Sequence, residues 1–376
     1  MSKHAILSAS AAARWLKCPP SARLNAAEPD TVSSEYAAEG TRAHAAAEEC
    51  LRAYLEGRES NATYDDGEMK EAVARYVDIC VEKIVAAKKA TPDTVAKVEE
   101  RLDFSSIVPD GFGTGDMVII SDDTIEIIDL KYGKGVPVSA VHNPQMRLYA
   151  LGACSAYDFL YGFSKVRMTI VQPRLDSVST DELSIRDLMK WAKEIKKTAE
   201  LAYKGKGTFC AGDHCRFCKV KARCKALSEY ELAEVNKYFP DEAWELEPET
   251  IAEIILKSTA IDNWIKAVKE YALTEALNGR EWPNLKLVAG RSKRIITNDE
   301  AAADILLKEG YKTDDIYKPK ELITLTALDK LVGKKRLAEI LDPVLSKQDG
   351  KPTLVSEEDK RPKLDTLSDF DDSILE

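Results

Sequence analysis

The first half of the chain alternates between two hydrophobic periodicities. Residues 35–57 and 66–89 carry apolar side chains at intervals of three and four positions, which predicts two amphipathic helices. Three short β-prone runs follow at 95–104, 114–120 and 124–130, and turn-forming residues separate them. The pattern therefore predicts three consecutive strands after a pair of helices.

The next segments return to a mixed pattern of helix and strand. Residues 143–153 predict a helix, residues 165–173 a strand, and residues 184–203 a second amphipathic helix. A hairpin-rich mixed sheet with helices packed on its faces accounts for this order, so the predicted fold class is α/β.

The remainder of the chain is predicted to be mainly helical. A long helical pattern covers 248–277, a strand-like run covers 285–296, and two short helices are expected at 325–341. After residue 349 the periodicity is lost, which predicts a disordered tail. We therefore expect a main domain, a smaller and mainly helical C-terminal domain, and an acidic tail, over residues 1–228, 229–348 and 349–376.

Composition and charge narrow the class of protein. The chain has 376 residues, of which 44% are hydrophobic and 31% are charged, as in soluble globular proteins. No apolar run reaches the roughly 18 residues of a membrane span, so no membrane association is expected. The net charge of -10 argues against a uniformly basic surface, but residues 203–225 hold seven basic residues against one aspartate. This basic segment coincides with a group of cysteines.

Two aspartates and a lysine occupy predicted strand positions. Asp116 lies in the second strand, and Asp129 and Lys131 close the third. Residues two apart in a strand share a face, so Asp129 and Lys131 point the same way, and a hairpin would bring Asp116 to them. Paired carboxylates suit a hard cation such as Mg²⁺, which activates water for phosphodiester cleavage while a lysine stabilises the developing charge.

An Asp-x-Lys triplet alone is more often a solvated turn, and its significance here comes from two neighbouring motifs. Gly40 and His44 lie in the preceding predicted helix, and Gln145 and Tyr149 lie in the following one. Gln145 and Tyr149 are four positions apart and share a helix face. Glu48, one turn after His44, is interpreted as a solvated helix charge and is left out of the site.

The order and spacing of these motifs resemble the RecB-like branch of the PD-(D/E)XK nuclease superfamily. Its motifs are Gly-x-x-x-His, Gly-x-x-Asp, Asp-x-Lys and Gln-x-x-x-Tyr. The resemblance implies a restriction-endonuclease-like core and a metal-dependent DNA nuclease. It further implies that the catalytic residues His44, Asp116 and Asp129 bind Mg²⁺ or Mn²⁺. Lys131 would be catalytic as well. Gln145 and Tyr149 would contact the nucleic acid or brace the site.

Four of the eight cysteines lie close together near residue 215. Such density predicts metal ligation in a reducing cytoplasm rather than disulfide bonds. Structural zinc is one interpretation, with Cys210 or His214 completing a set with Cys215, Cys218 and Cys224.

A [4Fe-4S] cluster is the other interpretation, because Cys18 would complete a set of four thiolates with Cys215, Cys218 and Cys224. This layout of one plus three resembles the iron-sulfur nucleases related to AddB and to the CRISPR-adaptation exonucleases. The resemblance implies a structural cluster that ties the N-terminal helix to the end of the nuclease domain. We therefore prefer the cluster to zinc, with Cys210 as a spare. The other cysteines are expected in the core, namely Cys50, Cys80 and Cys154.

Beyond residue 228 the chain resembles the C-terminal part of phage-associated proteins of unknown function, which implies a phage or prophage protein in the cytoplasm of a bacterial host. The basic positions there, at 291–294 and 334–336, would suit DNA but are solvated charge by default. The ending 369–372 mixes acids with an aromatic residue, as protein-docking tails do. Phage recombination proteins or single-strand-binding proteins are thus expected partners besides DNA.

Two function classes stay open. The first is an active nuclease, more specifically an exonuclease in phage recombination, repair or replication. The second is a catalytically inactive nucleic-acid-binding or adaptor protein that zinc or an iron-sulfur cluster stabilises. Because every catalytic position of the motifs is filled, we favour the first class.

Overall fold

A five-stranded mixed sheet lies at the centre of the protein. Its strands are β1 (Val95–Asp103), β2 (Phe112–Ile120), β3 (Thr124–Leu130), β4 (Lys165–Gln172) and β5 (Ser177–Ser184). They stand side by side in sequence order; β3 and β4 are parallel, and the other neighbours are antiparallel. Parallel neighbours need a crossover connection, which here contains a helix.

The structure is a computed structural model that describes residues 5–29, 35–157, 162–236, 247–288 and 298–308, with the shorter stretches 312–313, 317, 322–342, 344–345, 355–357 and 359. The helices of these residues are α1 (Ala12–Lys17), α2 (Ser21–Ala27), α3 (Glu35–Glu56), α4 (Gly67–Ala90), α5 (Pro144–Tyr157), α6 (Ile185–Tyr203), α7 (Lys225–Asn236), α8 (Pro248–Leu277), α9 (Asp299–Lys308), α10 (Leu325–Val332) and α11 (Lys334–Leu341). No helix of the described residues combines the length and apolarity that a bilayer span requires.

Helices cover both faces of the sheet, and the alternation of strand residues explains why. Ile125 and Ile127 of β3 are buried in a core with α1, α5 and α6, whereas Ile128 and Leu130 are buried in a second core with α3 and α4. Successive strand residues point to opposite faces, so a central strand must be apolar on both. The protein is therefore a mixed α/β structure with a central five-stranded sheet between helical layers.

The start of the chain is anchored to this core by a fully buried tryptophan. Trp15 of α1 is 0% exposed, and its indole Nε1 donates a hydrogen bond to the Ser8 carbonyl at 3.0 Å. Burying a large apolar side chain contributes roughly 1.5–3 kcal/mol, and the indole hydrogen bond removes the penalty for burying its N–H. The N-terminal segment is thus fixed near α6, against which α1 packs.

Strand β5 was not predicted from the sequence. Its residues Ser177–Ser184 alternate between half-buried and exposed, and they are mostly polar because the strand lies at the sheet edge. An edge strand with little apolar burial lacks the hydrophobic alternation by which strands are recognised. At its end, the Ser184 hydroxyl accepts a hydrogen bond from the Asp187 amide at 3.1 Å and caps α6.

The C-terminal part follows the predicted helical pattern, with one correction. Helices α8, α10 and α11 match the expected helical segments, and α9 is an additional helix that was not specifically predicted. Residues 285–288, the start of the predicted strand 285–296, are irregular. The rest of that predicted strand lies outside the described residues. So do the basic positions 291–294 and the ending 369–372.

The helices α10 and α11 pack against α4. The Glu71 carboxylate of α4 accepts hydrogen bonds from the amides of Lys335 and Arg336, at 3.3 and 3.2 Å. These amides belong to the first turn of α11, whose N–H groups have no partner within the helix. At the start of α4, Gly67 lies so close to the Val332 backbone that a Cβ atom would stand 2.4 Å from its carbonyl carbon. The C-terminal helices and α4 therefore form one contact.

Candidate functional site

The candidate site lies where β2 and β3 separate. The pairing of these strands ends with Met117 opposite Ile128, whereas β2 continues along β1. At the next position the Asp116 carboxylate, through Oδ2, accepts a hydrogen bond from the Leu130 amide at 2.7 Å. A side chain thus replaces a strand carbonyl as the partner of this amide, and it fixes Asp116 at the opening between the strands.

His44 and Glu99 approach Asp116 from two other elements. The Nδ1 atom of His44, in α3, lies 3.3 Å from Asp116 Oδ1. Glu99, in β1, has a left-handed backbone with φ of 52°, which is uncommon for a residue with a side chain. One ligand atom each from His44, Glu99 and Asp116 all lie within 4.8 Å of one another. The three side chains could therefore surround a single divalent cation.

Asp129 and Lys131 form the other side of the same site. Lys131 Nζ lies 2.7 Å from Asp129 Oδ2, and the Asp129 side chain is only 4% exposed. Among the described residues, Asp129 does not join the compact group of ligand atoms of His44, Glu99 and Asp116, so Glu99 takes the place that the sequence predicted for Asp129. The Gln145 amide, in the first turn of α5, donates to Asp129 Oδ1 at 3.0 Å and to the Tyr149 hydroxyl at 3.3 Å.

The glycine of the Gly-x-x-Asp motif has a packing role. Gly113 faces the ring of Tyr149, and a Cβ atom at this position would stand 2.6 Å from the ring carbon Cε1. Only glycine permits this approach without displacing the ring. Tyr149 in turn is buried beside Gln145. The motif glycine thus secures the residue that supports Gln145, which holds Asp129.

The charges of the buried pair support each other. Burial raises the pKa of Asp129, and the nearby Asp116 charge raises it further, against the opposing effect of Lys131. For Lys131, burial would lower the pKa, but the Asp129 carboxylate outweighs it and the pKa is raised. Lys131 is therefore a firmly protonated ammonium group at neutral pH.

The group formed by His44, Glu99 and Asp116 carries an excess of negative charge. Burial opposes protonation of His44, but its hydrogen bond to Asp116 and the charge of that carboxylate raise the pKa of the imidazole. Burial, together with the charges of Asp116 and Glu48, raises the pKa of Glu99 to about 7. Carboxylates that repel one another in this way are relieved when a cation binds between them. Glu48 itself is bonded to Arg52 at 2.8 Å, as expected of a surface helix charge.

The site opens into a cavity of about 650 Å³, which His44, Glu99, Asp116 and Lys131 line together with Phe217. This volume is within the range of small-molecule pockets, and one side is open to solvent. The predicted residues His44, Asp116 and Lys131 thus share one cavity, and Asp129, Gln145 and Tyr149 support it from below.

The loop after Lys131 is fixed at the cavity rim. The Gln172 amide donates to the carbonyls of Gly133 and Val136, at 3.0 and 2.8 Å. Lys134 Nζ lies 3.2 Å from Glu68, and Glu68 also accepts a hydrogen bond from Arg174 at 3.1 Å. The rim of the cavity is therefore bonded both to β4 and to the first turn of α4.

The cysteines predicted as metal ligands line a second, smaller cavity. Its lining includes Cys18, Cys210, Cys215, Cys218 and Cys224 with His214 and Arg14. In the part of the chain that the structure describes, no three cysteine or histidine ligand atoms lie within 4.8 Å of one another. Tetrahedral zinc, with bonds of about 2.3 Å, holds its sulfurs roughly 4 Å apart. The sulfurs thus share a cavity without forming a compact zinc set.

The remaining cysteines are placed as expected or nearly so. Cys80 and Cys154 are buried, and Cys50 is half-buried against the α3 and α4 core. None of the eight cysteines forms a disulfide bond, and all eight lie within the described residues. Burial raises the pKa of Cys215 to about 11, so this thiol is protonated until a metal or another cation compensates the charge.

Two residues of the site were missed by sequence reasoning. Glu99 stands beside a second glutamate in a charged strand, which reads as a solvated surface. Only the pairing of β1 with β2, in which Val98 lies opposite Met117, brings Glu99 level with Asp116. Phe217 lies between two cysteines in the sequence, and this position does not indicate a role for its ring. Its position across from Lys131 follows from tertiary structure, for which the sequence contains no local signal.

These features define a mixed α/β protein with a candidate divalent-cation site at the opening between two strands. The chain belongs to the DUF2800 family, described as a protein of unknown function, whose model matches residues 4–362. The chain is also similar to SSO0001, known from a crystal structure, at 14% sequence identity over 60% of this chain and 89% of that chain, with a TM-score of 0.28. A likeness at this score carries no argument about fold or function.

Proposed function

We propose that the protein is a metal-dependent DNA nuclease of the PD-(D/E)XK type with a restriction-endonuclease-like core. One observation carries the proposal: His44, Asp116 and Lys131, from α3, β2 and the position after β3, line one open cavity, and the buried Asp129 is paired with Lys131. The RecB-like motifs would explain why these residue types occupy these positions. If these polar residues only stabilised the fold, they would not need to line a cavity that is open to solvent.

The chain offers oxygen and nitrogen ligands that suit Mg²⁺ or Mn²⁺. His44, Glu99 and Asp116 are near enough to bind one ion, and Asp129, paired with Lys131, would hold the ammonium group beside it. A bound ion would supply an activated water and would neutralise charge on the phosphate. The ligands come from a sheet and a packed helix, so they are positioned before the metal arrives.

The other residues have separate tasks in this scheme. The Lys131 ammonium, protonated because of Asp129, would donate hydrogen bonds to the phosphate oxygen on which charge develops. Gln145 fixes the Asp129 carboxylate, so that one oxygen stays turned towards Lys131. Tyr149 braces Gln145, and its ring is buried in the core rather than in the cavity lining, so bracing is the role that we propose for it.

A [4Fe-4S] cluster bound by Cys18, Cys215, Cys218 and Cys224 is the second part of the proposal. All four line one cavity, and their sulfurs are spaced more widely than a single zinc ion requires. Arg14 lies among them, and the thiolates oppose the lowering of its pKa by burial. Such a cluster would join α1 to the segment after α6. Structural zinc is the alternative for the same ligands.

The wider biological role is proposed from the sequence resemblance alone. It comprises an exonuclease activity in phage recombination, repair or replication, a location in the bacterial cytoplasm, and contacts with recombination or single-strand-binding proteins. DNA as the substrate has a further support, because the segment 203–225 near the cavity is strongly basic and would attract phosphates.

The test is a cleavage assay with the full chain. End-labelled single- and double-stranded DNA is incubated with Mg²⁺, Mn²⁺ or EDTA, using the wild type, Asp116→Asn and the control Asp122→Asn, which changes an exposed acid in the turn before β3. We expect metal-dependent cleavage by the wild type and the control and none by Asp116→Asn. Binding of DNA without cleavage in any metal would instead support the inactive nucleic-acid-binding alternative.

A further inference from the structure

An exposed aromatic side chain lines the same cavity as the candidate catalytic residues. Phe217 is 73% exposed, yet it lines the same cavity as His44, Asp116 and Lys131. The site as described uses no apolar group at this position. Single exposed apolar side chains are common on protein surfaces, so it is the position of this ring in the cavity that points to a ligand with an apolar face.

A short turn holds this ring in place. The Cys218 amide donates to the Cys215 carbonyl at 3.0 Å, and the Cys215 amide donates to the Gly212 carbonyl at 2.8 Å. Arg216 and Phe217 are the two central residues of the turn, and the cysteines at both ends line the sulfur cavity. The tip of the turn is therefore presented by an anchored segment, which limits the entropy lost when a ligand covers it.

The surroundings of the ring carry positive charge. The Arg216 guanidinium lies 5.7 Å from the centre of the Phe217 ring. Lys219 is exposed, and Lys221 and Arg223 follow in the next turn. Arg223 is paired with Glu28, so Arg216 is the cation nearest to the ring. An apolar ring beside a cation fits a ligand that combines a flat apolar face with an anionic backbone, which is the chemistry of a nucleotide chain.

We propose that Phe217 is a stacking platform for a nucleobase of single-stranded DNA, next to the phosphate that the metal site would hold. The inference rests on the proposed nuclease function and adds the substrate class. In a duplex both faces of each base are covered by neighbouring bases, so a base can stack on Phe217 only from a single strand or a frayed end. The ring would thus make the protein prefer single strands or unpaired ends.

The position of the ring distinguishes this occupant from a protein partner. A docking surface for another protein needs a contiguous apolar patch. Here the ring stands among an imidazole, carboxylates, an ammonium group and basic side chains, in one open cavity. Only a ligand with both a phosphate and an aromatic base meets all of these groups.

The experiment measures binding apart from cleavage. Single-stranded oligonucleotides that carry one 2-aminopurine, and a blunt duplex of the same sequence, are titrated in Ca²⁺ with the wild type, Phe217→Ala, Phe217→Trp and Phe217→Leu. Stacking on an aromatic side chain has the magnitude of about a 5- to 100-fold change in affinity. We expect Phe217→Ala to lose this factor for the single strand together with the quenching of 2-aminopurine. Duplex binding should change by less than about threefold, and Phe217→Trp should retain binding.

Several results would overturn the inference. They are unchanged single-strand affinity in Phe217→Ala, an equal loss for single strand and duplex, full retention in Phe217→Leu, which would indicate an apolar contact without stacking, or no single-strand binding by the wild type. Tyr54→Ala, an exposed aromatic ten residues after His44 on α3, is the control that should behave as wild type.

The results distinguish failure of the stacking inference from failure of the nuclease proposal. Metal-dependent cleavage by the wild type with an unaffected Phe217→Ala would remove the stacking inference and leave the nuclease. If Phe217→Ala loses single-strand binding and the wild type cleaves no DNA, the stacking platform stands and the nuclease proposal fails.

Discussion

Replacing Lys131 by alanine separates the chemical step from the integrity of the site. Lys131 Nζ lies 2.7 Å from Asp129 Oδ2, so its removal leaves a nearly buried carboxylate with the Gln145 amide as its remaining partner. The ammonium group is also the cation placed to stabilise charge on a phosphate in the transition state. We therefore expect the variant to stay folded and to lose cleavage.

The size of both effects follows from the geometry. Removing one member of a buried ion pair costs roughly 3–5 kcal/mol. Lys131 is 26% exposed, and Asp129, whose pKa is already raised by burial, can take up a proton instead of remaining charged. The loss of metal-free stability is then about 1–3 kcal/mol, a fall of several degrees in melting temperature. Cleavage should fall by about 10²- to 10³-fold or more, as when one transition-state donor is removed.

The assay combines initial rates of DNA cleavage with melting curves in Mn²⁺ and in EDTA. Because Lys131→Ala removes a positive charge next to the cation site, Mn²⁺ should raise the melting temperature at least as much as in the wild type. Lys190→Ala, which removes an exposed lysine of α6, is the control and should keep its activity. Cleavage by Lys131→Ala at the wild-type rate would refute the assignment, as would loss of the Mn²⁺ stabilisation.

Three further predictions address the ligands and their supports. The pKa of Glu99 is raised to about 7 in the folded protein, so protonation of Glu99 stabilises the metal-free fold below about pH 4.5, and this contribution is lost as the pH rises through 7. Urea unfolding in EDTA should show this decline in the wild type and not in Glu99→Gln. Gly113→Ala pushes on the Tyr149 ring and should lower the unfolding free energy by about 1–3 kcal/mol while reducing cleavage; an unchanged denaturation midpoint would contradict the packing argument. Cys218→Ala should lower both iron content and melting temperature, because it removes a link between segments distant in sequence, whereas Cys154→Ala should keep its iron; equal iron in both variants would count against the cluster.

The parts of the fold that sequence predicts well are those with strong apolar periodicity. Helices α3, α4, α5 and α6 and strands β1 to β4 each bury one or both faces, so their pattern of side chains records their packing. Strand β5 escapes this reasoning because its polar residues 177–184 face solvent at the sheet edge. Residues 285–288 were predicted as a strand but are irregular, because a short apolar run is common to strands and irregular segments.

The site divides in the same way. His44, Asp116 and Lys131 stand in short motifs whose spacing fits adjoining elements, and the structure brings them to one cavity. Glu99 and Phe217 reach that cavity only through the register of β1 with β2 and through the path of the chain after α6. Neither relation leaves a trace in the local sequence, because both depend on contacts between residues far apart in the chain.

The bond between Glu71 and the first turn of α11 has a mechanical consequence for the cavity rim. The same α4 turn carries Glu68, which holds Lys134 and Arg174. Peeling the last helices away would strip Glu71 of two amide donors and loosen the beginning of α4. Damage or proteolytic clipping near residue 333 would then be transmitted to the loop after Lys131, so α4 and the C-terminal helices α10 and α11 should unfold together.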